Sequence, residues 1–308
     1  MFATSRPRRV RQLRKCPAGR RPLALYCCGV KATGASIGGR LPAAIAAAVL
    51  VSAGCSAGVP ATPTPITPSV TADLPADQVV LQVVVAGGYT PPVYHALAAP
   101  SIAVFGDGRL VQVVRRELGL GPAAYTIARV PPRAVAQFAA DAEASGLIAD
   151  ATDFGMPGVT DMPSLIVTLR GQHGSSIVSV YAPNPNFEKN LTDAQRANRR
   201  ALEDLIARAN QLPGSATKAA FIPARVLVYG LTDATGIQGD AVPWPGPDPD
   251  SFMRAASVRM ASSCGELTGA PAQAAYAAAL ANPGVAWLVR GQRRILVVNP
   301  LPLDEGCR

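Results

Sequence analysis

Fourteen uncharged residues, Leu41 to Gly54, follow Arg40 and end in Ala53-Gly54 directly before Cys55. The run is too short to cross a bilayer, which takes ~20 residues. It matches the apolar region of a secretory signal, ~7–15 residues closed by small side chains at a cleavage site. Ser56 to Asp77 then carries Pro60, Pro63, Pro65, Pro68 and Pro75 among Thr62, Thr64, Thr67 and Thr71. Proline removes backbone donors and fixes φ, so this stretch enters neither a helix nor a sheet interior. The folded core is expected to begin at residue 78.

Leu50-Val51-Ser52-Ala53-Gly54-Cys55 resembles the lipobox of bacterial lipoproteins. Gly54 and Ala53 fit it, and Ser52 stands where leucine is commonest, with Val51 one step earlier. The resemblance implies a diacylglyceryl thioether on Cys55, cleavage before it, and acylation of the new N-terminus. Two or three chains anchor stably where one binds marginally. Residues 1–54 are then a signal peptide with an N-terminal extension, and residues 55–77 a lipidated cysteine and a disordered tether. The expected location is the outer face of the cell membrane, after export. At ~3.1 Å per residue the tether reaches up to roughly 60 Å, and its Thr/Pro content suits O-glycosylation. A leader of 54 residues exceeds the ~15–30 of a usual signal. A start at Val30 would leave Lys31 and Arg40 as the basic part and 25 residues before Cys55. Arg8-Arg9 is a poor twin-arginine match, because Arg11 replaces the apolar residue expected soon after the pair.

The formal charge of +9 resides in this leader. Ten of the 29 Lys/Arg and none of the 20 Asp/Glu precede Cys55, which leaves 19 basic against 20 acidic residues, a net of −1. A nucleic-acid footprint needs basic residues clustered on the folded domain. The pairs Arg115-Arg116, Arg199-Arg200 and Arg293-Arg294 are read as solvated faces and hairpin tips, so no nucleic-acid partner is expected.

Residues 55–308 number 254, enough for one full core or two modest ones. Val79 to Ala86 is nearly all apolar and β-branched, a central strand. Ile102 to Phe105 and Arg109 to Val114 flank Gly106-Asp107-Gly108, a hairpin signal, and Tyr125 to Val130 adds a strand. Pro131-Pro132 opens a helix with Val135, Phe138, Ala139 and Ala142 on one face, closed by Gly146. Ser164 to Arg170 and Ser176 to Tyr181 form a second hairpin around 171–174. Thr192 with Gln195 is a capping box for a helix whose apolar face is Leu202, Leu205, Ile206, Ala209 and Leu212, stopped by Pro213-Gly214.

A second module follows. Phe221 to Leu231 and Met253 to Ala261 are expected as strands, separated by a Gly/Pro/Asp loop. Ala270 to Ala281 is expected as a helix, and Val285 to Arg290 with Arg294 to Asn299 as a terminal hairpin. The fold class is α+β: two antiparallel-sheet modules, 78–214 and 215–308, each reading strand, strand, helix, strand, strand, and each covered by helix.

With Cys55 acylated, Cys264 and Cys307 remain in an oxidising compartment and are expected to pair, closing the second module and tying the C-terminus to the head of the last helix. Two buried free thiols are the other reading. No Cys-x-x-Cys spacing marks a redox pair.

Gly87-Gly88-Tyr89, Phe105-Gly106-Asp107-Gly108, Gly158-Val159-Thr160-Asp161-Met162-Pro163 and Leu191-Thr192-x-x-Gln195-Arg196 resemble a family of actinobacterial secreted or lipid-anchored proteins of unknown function. Cys264, Trp287, Asn299-Pro300-Leu301-Pro302 and Glu305-Gly306-Cys307 fit it too, so the resemblance covers roughly 78–307. Its motifs are structural punctuation and imply no catalytic residue.

Little chemistry is signalled. Gly34-Ala35-Ser36-Ile37-Gly38 matches a nucleophile elbow but lies in the leader, with no strand before it. His95 and His173 are isolated loop histidines, and no His-x-x-x-His exists. Asp150, Asp153 and Asp161, and likewise Asp240, Asp248 and Asp250 beside Trp244, suit turn and cap roles better than a calcium loop or an acid/base pair. Asn190-Leu191-Thr192 matches a glycosylation sequon, with Thr192 better explained as a helix cap. Gly119-Leu120-Gly121-Pro122 lacks the setting of a phosphate loop.

No catalytic residue, metal ligand or cofactor is assigned. The expectation is an envelope protein held to the membrane at Cys55, binding or scaffolding a protein, lipid or glycan partner. The alternatives are a lipid or glycolipid carrier with an apolar cavity, and a hydrolase using Asp153 or Asp161.

Overall fold

The computed structural model describes residues 74–115, 120–237, 239–300 and 306–307. The expected leader, Cys55 and the tether as far as residue 73 lie outside them, as do Arg116 and Gly119. The chain forms two antiparallel-dominated sheets with helices packed on them, the α+β class expected.

Strand β1 (Val79–Ala86) is apolar along both faces except at Gln82, and it lies inside the first sheet, between β2 (Pro100–Phe105) and β5 (Ser164–Gly171). β2 turns through Gly106-Asp107-Gly108 into β3 (Arg109–Arg115), which pairs with β4 (Ala124–Arg129). β5 turns over Gln172-His173 into β6 (Gly174–Tyr181). The order is β6-β5-β1-β2-β3-β4-β7, where β7 is Ala219–Ala220. Alternation sends Leu81 and Val83, with Ile102, Val104, Val167, Leu169, Val178 and Val180, to one face. There α2 (Pro132–Ala144) and α3 (Asp193–Gln211) cover them and complete the main core with Val135, Phe138, Leu202 and Leu205. Each buried Leu, Val or Phe contributes about 1.5–3 kcal/mol, so this face dominates folding.

The capping box is present. Thr192 Oγ1 accepts the Gln195 N–H at 3.2 Å, and Gln195 Oε1 accepts the Thr192 N–H at 2.9 Å.

The second sheet has the order β10-β11-β8-β13-β12-β9: Arg254–Val258, Ala261–Thr268, Arg225–Leu231, Gln292–Asn299, Trp287–Val289 and Val242–Pro243. Helix α5 (Gly269–Ala281) packs on Val226, Val228, Leu267, Leu296 and Val298. The opposite face, carrying Leu227, Tyr229 and Val297, is covered by the short α1 (Pro92–Ala96), which lies between β1 and β2 in the chain. Asn299, buried at the end of β13, donates from Nδ2 to the carbonyls of Ala96 at 3.0 Å and Ala98 at 2.9 Å. An early helix thus covers the late sheet, while the late strand β7 pairs with β4 in the early sheet. The described residues all belong to one compact unit.

Several local expectations are corrected. β8 starts at Arg225 rather than Phe221, since Pro223 has no N–H to give a ladder. Met253 to Ala261 is not one strand but a hairpin, turning at Arg259 and Met260, both at positive φ (50° and 61°). The four strands expected before α2 are present, so the first module does not follow the strand, strand, helix, strand, strand order. Cys264 lies within β11, not at a helix head, and is disulfide-bonded to Cys307 with 5.4 Å between Cα atoms. Arg199, read as solvated, is 3% exposed.

Candidate functional site

The face of β1, β5 and β6 turned away from α2 and α3 carries the alternate residues: Gln82, Val84 and Ala86, then Ile166, Thr168 and Arg170, then Ile177. The end of α1, with His95 and Ala98, and the β10–β11 turn, with Arg259, rise beside this face. Between them lies a solvent-open groove of about 350 Å³, near the small end of the range for ligand sites, ~300–1,000 Å³.

Val84, Ala86 and Ile166 give the groove an apolar floor, into which Gln82 and Thr168, both largely buried, set an amide and a hydroxyl. Arg170, Arg259 and His95 stand around it, and no carboxylate is among the described lining residues.

Each of these three side chains is placed by the structure. Arg259 sits in a two-residue turn that demands positive φ at both positions, an unusual conformation for a side chain with a Cβ. Its guanidinium donates to the carbonyls of Ala98 and His95 at the C-terminal end of α1, and lies 6.0 Å from the Tyr229 ring centroid. Arg170 donates to the Val79 carbonyl at 3.3 Å. His95 Nε2 lies 3.3 Å from Thr90 Oγ1. Two fixed guanidinium groups over an apolar floor suit an anionic head joined to an apolar stem.

The aspartates flagged in the sequence are held as parts of turns. Asp153 accepts from Gln195 Nε2 at 2.9 Å and from the Gly155 N–H at 2.8 Å, and both hold its carboxyl below the usual range. Asp161 has φ 61°, and its carbonyl accepts the Tyr89 N–H. Asp248 caps helix α4 (Pro249–Phe252) by accepting the Asp250 N–H. Asp250 is paired with Arg294 at 2.9 Å, and that hydrogen bond lowers its pKa. His173 lies 3.2 Å from Glu143 on α2. Among the described residues no three of His, Cys, Asp or Glu gather as metal ligands. No described helix is long and apolar enough to cross a membrane.

Sequence reasoning missed the groove. His95 and Arg259 are 164 positions apart and meet only because α1 covers the second sheet. No family model, curated protein or solved structure matches this chain.

Proposed function

We propose that the protein is a lipid-anchored component of the cell envelope that acts by binding, with Cys55 and the tether holding the folded part outside the membrane and the groove on the first sheet taking the ligand. The groove itself carries this reading: an apolar floor beneath the guanidinium groups of Arg170 and Arg259, with His95 beside them, favours an anion bearing a short apolar segment. The lipid or glycolipid carrier is the second reading, favoured by Val84, Ala86 and Ile166. In that case the open groove would hold the head and only the first part of a chain. The resemblance of the motifs to actinobacterial secreted or lipid-anchored proteins agrees with either.

The test is NMR of the full chain in a nonionic detergent, following arginine side-chain resonances during titration with hexanoate and, separately, hexylammonium. Hexanoate is expected to shift the Arg170 and Arg259 signals and hexylammonium to leave them in place. Arg170→Gln should weaken hexanoate binding about tenfold, the scale of one charge-assisted hydrogen bond. Equal response to both probes, or none to hexanoate, would discard the groove as the site.

A further inference from the structure

Among the described residues the two sheets end in four edges, and three carry a device against pairing with another strand. β7 and β9 are two residues long, and β9 contains Pro243. β10 begins with Arg254, and its register against β11 shifts between Ala255 and Val258. Shortness, proline, charge and bulges are the means by which sheets refuse further strands. β6 has none of them. Its eight residues, Gly-Ser-Ser-Ile-Val-Ser-Val-Tyr, hold no charge and no proline, and they pair with β5 from end to end without a shift. Ser175, Ile177 and Ser179 are exposed, Ile177 by 54%.

Register decides which backbone groups this edge presents. The two-residue turn at Gln172-His173 makes Gly171 and Gly174 the first hydrogen-bonded pair, so Ser176, Val178 and Val180 exchange their bonds with β5. The Ala182 N–H, donating to the Pro163 carbonyl at 3.0 Å, continues the same alternation past the end of the strand. Ser175, Ile177 and Ser179 therefore direct N–H and C=O away from the sheet, with their side chains on the groove face.

We propose that β6 is a homodimer interface, pairing antiparallel with β6 of a second copy about a two-fold axis at Ile177. In this register Ile177 faces Ile177 of the other copy, and Ser175 faces Ser179. All of these residues have outward backbone groups, so each facing pair exchanges two hydrogen bonds. The serine hydroxyls lie opposite one another, where cross-strand hydrogen bonds form, and no charge opposes a like charge. The strand is complementary to itself, as a two-fold interface requires, which favours a second copy over an unrelated strand. Ile177 also lines the groove, so pairing sets two grooves side by side on one continuous sheet.

The experiment is sedimentation equilibrium of the full chain in density-matched nonionic detergent. A dimer is expected. Ile177→Lys, which places two ammonium groups face to face at the axis, should raise its dissociation constant at least about tenfold, whereas Ile177→Thr should leave it dimeric. Ile177 is exposed, so the lysine is not expected to harm the fold, and an unchanged thermal melt checks this. Mixing Ser175→Cys with Ser179→Cys should give, by peptide mapping, a disulfide between the two new thiols in excess of either alone. A monomer at every concentration would overturn the proposal. So would a dimer that Ile177→Lys leaves intact, which marks association through another surface or through shared micelles.

Discussion

Tyr276 on α5 donates its hydroxyl to the Ala123 carbonyl at 2.9 Å, joining the helix of the second sheet to the entry of β4 in the first across 153 positions of chain. The side chain is 5% exposed, and burial raises its pKa to about 12, against 10.0 unperturbed. The folded state therefore prefers the neutral phenol. Its contribution is complete below pH 10 and is lost as pH rises from about 10 towards about 12, a change of about 2–3 kcal/mol. Tyr276→Phe should lower stability at pH 8 by about 1 kcal/mol, because the Ala123 carbonyl loses its donor. It should also flatten the fall between pH 10 and 12. Urea unfolding at pH 8, 10 and 11 measures both, and an unchanged alkaline limb would remove the phenol as its cause.

Arg199 staples two turns to α3. Its Nε donates to Phe154 O at 2.7 Å, and its terminal nitrogens to Ala182 O at 3.2 Å, Gly155 O at 3.2 Å and Tyr181 O at 2.9 Å, with Glu188 3.8 Å away. Burial lowers its pKa, opposed by Glu188 and Glu203, and a guanidinium stays charged at any working pH. Arg199→Ala should cost about 3–5 kcal/mol by leaving four carbonyls without this donor, and Arg199→Lys should rescue little, since an ammonium lacks the planar fork. Arg200→Ala, on the exposed side, should change stability by less than about 0.5 kcal/mol. Chemical denaturation of the three variants separates a staple from a surface charge.

That pair shows what the sequence makes legible. Helix α3 was readable from Thr192, Gln195 and the spacing of Leu202, Leu205 and Ala209, because caps and apolar periodicity are local signals. Position 199 lies on that same buried stripe, yet an arginine there reads as solvent-facing, and its carbonyl partners come from residues 154–155 and 181–182. The β10–β11 hairpin was missed for a related reason. Its turn puts Arg259 and Met260 at positive φ where glycine or asparagine would have announced it, and β11, Ala-Ser-Ser-Cys-Gly-Glu-Leu-Thr, has weak strand propensity. Gly265 is there because a Cβ would lie 2.6 Å from the Phe252 ring and 2.9 Å from Met253 Cα, a packing demand that only the assembled sheet reveals. The groove depends on this unannounced turn to carry Arg259 to His95, so no spacing in the sequence pointed to it.

Gly106-Asp107-Gly108 was legible as a turn, and its geometry ranks the substitutions. Gly108 has φ +86°, and a Cβ there would lie 1.9 Å from the Val130 carbonyl oxygen. Gly87 has φ +81° with nothing within 4 Å of the same atom. Gly108→Ala should therefore cost about 3–4 kcal/mol and Gly87→Ala about 1–2 kcal/mol, the latter reflecting the left-handed backbone alone. Equal melting temperatures for the two variants would show that the Val130 contact yields without cost.

The Cys264–Cys307 bridge closes a loop of 43 positions. In the chain-entropy model this contributes about 4 kcal/mol by restricting the unfolded chain. Cys264 is 1% exposed among Tyr229, Ala261 and Val297, so a single substitution at Cys307 would leave a buried thiol behind. The double variant Cys264→Ala with Cys307→Ala isolates the crosslink. It should unfold about 4 kcal/mol more easily than the oxidised chain and be indifferent to added reductant. Retained stability in the double variant would mean that neither the covalent loop nor the buried Cys264 sulfur is needed to hold this end of the chain.

The proposed anchor makes a prediction that the groove does not share. If Cys55 carries the lipid, Cys55→Ser expressed in the native host should block modification and the cleavage that depends on it. The product would then be longer by its leader and would not incorporate labelled palmitate. The apolar run of 14 residues, Leu41 to Gly54, is too short to span a bilayer in place of the lipid. Fractionation should therefore show the variant depleted from the detergent-extracted envelope fraction, while hexanoate binding at the groove is unaffected. Detergent-dependent retention together with an unlabelled, uncleaved wild-type chain would show that residues other than Cys55 hold the protein at the membrane.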